Sequence, residues 1–330
     1  MTWVLVFLAA GAVVAAAGVQ LARAGDELAE RAGLSRLLVG MLLVAAATSL
    51  PEIVTDVSAA LDDAPNLAVG DLFGSSMANM AILAIVDLIG RHHVWPRVEI
   101  GHARVASIAI ALTALASIAI LTPPGIALGW VGLDTVTIAA AYVAAVAWMR
   151  RSPVNRFAGS EVLPTPTGWT RPTRGELRPV IGRFLVATGV IVVSAPLLAH
   201  SGKEIATASG LGQTFVGTAL VALSTSLPEL VASIAAVRIG AHDLAVGNLF
   251  GSNAFNMVAL LFTDVAYTRG PLLAAVDPSQ AVAGVGAILL MALAVTAIVH
   301  GAETRVRRLE PDALLLLVAY AGALFAVWHA

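Results

Sequence analysis

Apolar residues do not alternate along this chain; they gather into ten long runs parted by short polar segments. The runs cover roughly residues 3–22, 37–60, 67–90, 103–122, 126–149, 180–199, 213–237, 244–266, 280–300 and 311–328. About 20 apolar residues make a helix that crosses the hydrocarbon core of a bilayer, so each run predicts a transmembrane helix. Composition agrees: 58% of the 330 residues are hydrophobic and 12% charged, with a mean hydropathy of +0.88, whereas soluble domains carry about 25% charged residues. Ten spans leave no length for a separate soluble domain, which excludes soluble-enzyme readings. The lack of cysteine excludes disulfides, thiolate metal sites and cysteine nucleophiles.

Charge then orients the runs. With every Lys and Arg assigned to a connection, 17 fall on one side and only Lys203 and Arg269 on the other. The positive-inside rule makes the richer side cytoplasmic. The expectation is a multi-pass protein of a plasma (inner) membrane, with both termini outside and the central linker cytoplasmic. The excess of Arg over Lys, 18 to 1, fits a GC-rich bacterial source. The first run reads as helix 1 and not as a cleaved leader, because it exceeds the usual apolar core of a leader and no basic residue precedes it. One long connection, rich in Arg, Thr and Pro (Pro153, Pro164, Pro166, Pro172, Pro179), reads as a solvated linker. The expected division is residues 1–149, linker 150–179 and residues 180–330.

The two halves are copies. Shifted by 177 positions, Gly25–Leu83 aligns without a gap on Gly202–Leu260, with 29 of 59 pairs identical. The strongest matches are TSLPE at Thr48–Glu52 and Thr225–Glu229, and LAVGDLFGSSMAN at Leu67–Asn79 against LAVGNLFGSNAFN at Leu244–Asn256. Five spans per half is an odd number, so equivalent helices run in opposite directions. The predicted fold is an all-α integral membrane protein of ten transmembrane helices arranged as two inverted five-helix repeats. In such folds substrate sites lie near the midplane, where the repeats meet.

The duplicated motifs carry the chemistry. Glu52 and Glu229 lie inside apolar runs, where an ionisable group costs at least ~2.5–3.5 kcal/mol unless it finds a partner. Pro51 and Pro228 lack an N–H, which frees the carbonyls of Ala47 and Ser224 and bends or opens each helix. Thr48 and Ser49 stand four and three residues before Glu52, so hydroxyls and carboxylate share a helical face; Thr225, Ser226 and Glu229 repeat this. Ser75 and Asn79, and again Ser252 and Asn256, add polar atoms at the same i, i+4 spacing, beside glycines that permit close helix approach. Every donor atom is oxygen, which suits hard cations, and flexible sites of 6–8 oxygens favour calcium over magnesium. Two glutamates neutralise one divalent ion, and they could alternatively hold sodium ions or protons.

These residues resemble the sodium/calcium exchanger family, within the calcium/cation antiporter superfamily, whose two alpha-repeats carry GTSLPE-like and GSN-like signatures. The resemblance spans both halves. It implies alternating access, with sodium influx driving calcium export. It also implies that Glu52, Glu229 and the backbone carbonyls of Thr48 and Thr225 hold calcium, while Ala45, Ser49, Ser75, Asn79, Ala222, Ser226, Ser252 and Asn256 help form sodium sites. There are departures. Ala47 and Ser224 replace the opening Gly, Asp71 and Ser76 stand at usual Asn positions, and Asn256 stands where many prokaryotic and potassium-dependent relatives have Asp. Potassium dependence is therefore disfavoured. Asp71 is read first as an acid at a helix contact and second as a source of negative charge near the site.

Asp87 and Asp264 read as structural residues at helix ends, His92, His93 and His102 as solvated loop residues, and Asp62 and Asp63 as no site. The linker is too short for a folded calcium-sensing domain. The expected partners are calcium and sodium ions and the lipid bilayer, with no cofactor, no nucleic acid and no obligatory protein partner. Coupling to protons instead of sodium is the nearest alternative; an uncoupled cation channel or membrane scaffold is the alternative from another class. No phosphate-binding loop or paired catalytic motif points to a pump or an enzyme.

Overall fold

The computed structural model describes residues 2–89, 94, 98–151, 174–208, 224–300 and 311–330. Its helices follow the apolar runs: α1 Thr2–Ala32, α2 Arg36–Leu61, α3 Pro65–Ile89, α4 Gly101–Leu121, α5 Leu133–Arg151, α6 Arg174–Ala208, α7 Leu227–Arg238, α8 His242–Ala266, α9 Gln280–His300 and α10 Pro311–His329. Among the described residues eight are long and apolar enough to cross a membrane, and α5 contributes the shorter apolar helix Leu133–Met149. The start of the seventh run, 213–223, lies outside the described residues. Among the described residues the fold is all-α, with ten helices in two inverted repeats, α1–α5 and α6–α10.

Helices end where their hydrogen bonding ends, not where hydropathy falls. α1 runs past its expected end at 22 because its polar extension is tied down by charge. Glu27 pairs with Arg31 one turn on at 2.6 Å and with Arg183 of α6 at 2.5 Å, and Asp26 pairs with Arg36 of α2 at 2.5 Å. The ends of the expected linker are likewise helical, since α5 reaches Arg151 and α6 starts at Arg174; 152–173 lie outside the described residues. The start of the fifth run is corrected. Gly125 and Gly129 take φ of +67°, and Ala127–Leu128 pairs antiparallel with Val131–Gly132 in a small hairpin before α5 begins. Glycine adopts that backbone without the steric cost that other residues meet.

The two motif helices are broken differently. In α2 a wide turn with i→i+5 bonding, Gly40–Val44, separates helical Arg36–Val39 from Ala45–Leu61, and the helix then continues through Pro51. The interruption expected at Pro51 therefore lies upstream of it. α7 starts after Ser226, which is in a turn, and carries Pro228 in its first turn, where a missing N–H leaves no helical bond unmade.

Burial ranks the helices. The apolar windows of α3 and α8 are 72% and 83% buried, against 28% for α1 and 17% for α10, so α3 and α8 cross at the centre. Residues from α2–α5 and α8–α10 build one apolar cluster, including Phe73, Met80, Phe250, Met257 and Leu290. A second cluster joins α1, α6 and α7 through Val14, Leu21, Ile191, Leu198 and Ala232, takes in Val44 and Ala47 of α2 and Leu244 and Ala245 of α8, and has α1 packed along α6. Glycine brings α2 onto α8. A Cβ on Gly40 would stand 2.6 Å from the Leu244 carbonyl oxygen, one on Gly247 2.9 Å from that of Leu37, and one on Gly251 2.5 Å from Met41 Cα.

Hydrogen bonds repeat across the pseudo-symmetry. Asp87 Oδ1 accepts from Val94 N at 2.7 Å, and its equivalent Asp264 Oδ1 accepts from Leu272 N at 2.7 Å. Asn66 Oδ1 accepts from Asp277 N at 2.7 Å, while its equivalent Asp243 Oδ1 accepts from Glu99 N at 2.8 Å. Asp87 and Asp264 thus hold loops, in line with their structural reading. His102 departs from its expected place in a solvated loop. It is fully buried, with Nε2 2.9 Å from Asp243 Oδ1 of the other repeat.

A side chain at the α2–α8 crossing has backbone in its way. Gly251→Leu is expected to cost ~1–3 kcal/mol or more, read as a lower thermal unfolding midpoint of the purified protein. Gly322→Ala on α10, where an added Cβ meets nothing within 4 Å, is expected to leave the midpoint unchanged or raise it.

Candidate ion-binding site

The central helices carry an uncommon density of buried polar side chains. Thr48, Ser49 and Glu52 of α2 are at most 1% exposed; Glu229 of α7, Asn79 of α3, and Ser252 and Asn256 of α8 are fully buried. Thr225 and Ser226, just before α7, and Ser75 of α3 are also buried. The carboxylates arrive from opposite repeats and lie within electrostatic reach of one another, with Thr48 and Ser49 close to Glu229 and Ser75 close to Glu52. Eleven of the twelve residues expected at the site are buried; Ala222 lies outside the described residues.

A framework of hydrogen bonds orients the donors. Thr48 donates its hydroxyl toward Val44 O at 3.1 Å, Ala45 O at 3.2 Å and Asn248 Oδ1 at 3.2 Å. That hydroxyl stitches α2 to α8. Asn79 donates from Nδ2 to Asn253 Oδ1 at 2.8 Å, and Asn253 donates in turn to Ser76 O at 3.1 Å. Asn79 is thereby held with its Oδ1 left over. The orientation of Asn256 that satisfies both ends of its amide accepts from Ser75 Oγ at 2.9 Å and donates to Glu52 Oε2 at 3.3 Å and Ser252 O at 3.1 Å. Where a carboxylate would repel Glu52, this amide supports it.

The remaining atoms have no protein partner. Ser49 Oγ, Glu52 Oε1, Asn79 Oδ1, Ser226 Oγ, both Glu229 carboxylate oxygens and Ser252 Oγ are buried without a hydrogen bond. None of the ion pairs among the described residues involves Glu52 or Glu229. Proteins rarely bury polar atoms this way, since each costs about 1–3 kcal/mol and a charged one more. The leftover atoms are all oxygens, and they fall on residues that the duplicated motifs single out. The set is complementary to a hard cation, which would replace the missing donors with one positive charge centre.

Sequence reasoning missed four polar residues here. Asn253 orients Asn79, and Asn248 accepts from Thr48 and donates to Ser233 Oγ at 3.2 Å. Asp56 is 1% exposed on α2, one turn beyond Glu52. A scan for every ionisable side chain inside an apolar run would have found Asp56.

Comparison with known proteins gives a consistent result. The family model described as sodium/calcium exchanger protein matches residues 2–150 and 179–329. CaxA of Alkalimonas amylolytica is 28% identical over 309 residues, covering 90% of this chain and 89% of that one. The inner membrane protein YrbG of Escherichia coli (strain K12) is 28% identical over 244 residues, covering 73% and 72%. Among solved structures, the sodium-calcium exchanger NCX_Mj soaked with 2.5 mM Na+ and 0.1 mM Ca2+ superposes with a TM-score of 0.73 over 98% of both chains, at 20% identity.

A site short of donors and rich in carboxylate is stabilised by the ion it fits. Calcium at about 100 times its dissociation constant is expected to raise unfolding free energy by ~2.7 kcal/mol, measured as a higher thermal midpoint. In Glu52→Gln or Glu229→Gln the rise is expected to shrink, while the ion-free midpoint stays level or increases because a buried unpaired charge is gone.

Proposed function

We propose that this chain, which belongs to the sodium/calcium exchanger family, is a secondary-active antiporter that exchanges sodium for calcium by alternating access through one shared site. The observation that carries the reading is the convergence of unpartnered oxygens from both repeats around Glu52 and Glu229. Calcium neutralises the two carboxylates. Sodium ions can neutralise them too, drawing on the hydroxyls of Ser49, Ser226, Ser75 and Ser252 and the amide oxygens of Asn79 and Asn256. Because both ions need the same carboxylates, their binding is mutually exclusive, and a protein that reorients only when those charges are neutralised must exchange one for the other. The backbone carbonyls of Thr48 and Thr225, with Ala45 and Ala222, complete the proposed ligand set.

Reorientation has a physical basis in the two apolar clusters. α1 and α6 pack on each other and meet the rest of the bundle through small residues: Gly18 against Val231, Gly25 against Val44 and Gly202 against Ser224. Gly25 and Gly202 are repeat equivalents, so a glycine stands at the corresponding position of α1 and of α6. Sliding of this pair exposes the site first to one side and then to the other. The proposed setting is the plasma membrane, with the linker after residue 149 cytoplasmic. If more than two sodium ions move per calcium, each net charge couples transport to voltage at ~2.3 kcal/mol per 100 mV.

Proton coupling is the second reading. It is favoured by the buried carboxyl of Asp56, which has no hydrogen-bond partner and could carry a proton. Proteoliposomes separate the readings. An outward sodium gradient is expected to drive calcium uptake, falling about tenfold or more in Glu52→Gln. Uptake driven only by a proton gradient would select the second reading, and flux without any counter-ion would indicate a channel.

A further inference from the structure

The pseudo-symmetry fails at one place beside the site. Asp56 on α2 and Asp71 on α3 have Ser233 and Asn248 as their equivalents in the second repeat. There the protein satisfies itself: Asn248 Nδ2 donates to Ser233 Oγ at 3.2 Å, and Asn248 Oδ1 accepts from Thr48. In the first repeat two carboxyls occupy the same geometry. The short turn after Leu61 folds α3 back along α2, and Asp56, one turn beyond Glu52, faces Asp71, one turn before Ser75.

The two carboxyls lie within hydrogen-bond reach of each other, and among the described residues no basic side chain pairs with either. Both oxygens of Asp56 and Oδ2 of Asp71 are buried without a hydrogen bond, and Asp56 is 1% exposed. Two carboxyls this close cannot both stay ionised without a positive charge between them, so the pair holds either one shared proton or one cation. Both acids also lie within electrostatic reach of Glu52, and Asp71 within reach of Glu229, so they extend a line of carboxyls from the central site toward the α2–α3 turn.

We propose that Asp56 and Asp71 form a second cation-binding station, taking a hard divalent cation of the calcium class, on the α2–α3 turn side of the central site. Two carboxylates neutralise one such ion, and waters complete its shell. The inference rests on the reading that Glu52 and Glu229 hold transported calcium, and adds to it a station on one side of that site. The equivalent place on the second repeat lacks carboxylate, so the two sides of the transporter offer arriving calcium different electrostatics. The asymmetry gives one access route a local store of the ion that the other lacks.

Calcium binding to the purified full chain, by equilibrium dialysis and calorimetry, tests this. Wild type is expected to bind about two calcium ions per chain, and Glu52→Gln/Glu229→Gln about one. Asp56→Ser/Asp71→Asn installs the residues of the second repeat, for which the fold already shows a satisfied pair, and is expected to lose one ion relative to wild type. All four changes together are expected to abolish binding. The single variant Asp71→Asn, with thermal unfolding measured in parallel, guards against misfolding of the double variant. If Glu52→Gln/Glu229→Gln binds no calcium, or binds an ion that Asp56→Ser/Asp71→Asn does not remove, the station is overturned. Calcium binding that is identical in wild type and Glu52→Gln/Glu229→Gln would instead overturn the central-site reading.

Discussion

Two buried carboxylates, with no cationic side chain paired to them among the described residues, are the constraint on which this structure turns. Ionised carboxylates at that depth are costly, and the chain provides amides and hydroxyls beside them where an arginine or lysine would end the problem permanently. A permanent counter-charge would make Glu52 and Glu229 a structural ion pair. Without one among the described residues, the two carboxylates are complementary to a mobile cation, which is the basis of the proposed exchange. The function follows from what the protein declines to satisfy.

The scaffold exists to hold that arrangement open. α3 and α8 cross at the centre and interlock through Asn79, Asn253 and Ser76, while Thr48 ties α2 to Asn248. Gly40, Gly247 and Gly251 let α2 lie against α8 backbone to backbone, which brings the wide turn of α2 onto α8 upstream of Thr48. Asn79 spends its N–H on Asn253 of α8 and keeps its Oδ1 free, so at that residue helix association and side-chain orientation are one network. α1 and α6 lie in the second apolar cluster, which reaches α2 through Val44 and Ala47 and α8 through Leu244 and Ala245, with glycine at several of the contacts.

Most of this was legible in the sequence because membrane burial makes polar residues conspicuous. An acid in an apolar run is already an anomaly, and duplication at a fixed offset of 177 turned Glu52 and Glu229 into a pair. What was not legible depended on contacts distant in sequence. His102 sits among arginines in the chain, but its partner Asp243 is 141 residues away. The wide turn at Gly40–Val44 answers to the α8 backbone and has no local signal beyond one glycine. The extension of α1 to Ala32 depends on Arg183 and Arg36, which belong to other helices. Asp56 escaped because its repeat equivalent is Ser233, so the comparison that exposed the glutamates passed over it.

The central claim is that one cation is held jointly by the two repeats. Anomalous diffraction from crystals grown with strontium in place of calcium tests it most directly. The account predicts that the strongest peak lies at coordinating distance from carboxylate oxygens of both Glu52 and Glu229. A strongest peak touching only one repeat, or lying away from both glutamates, would contradict it.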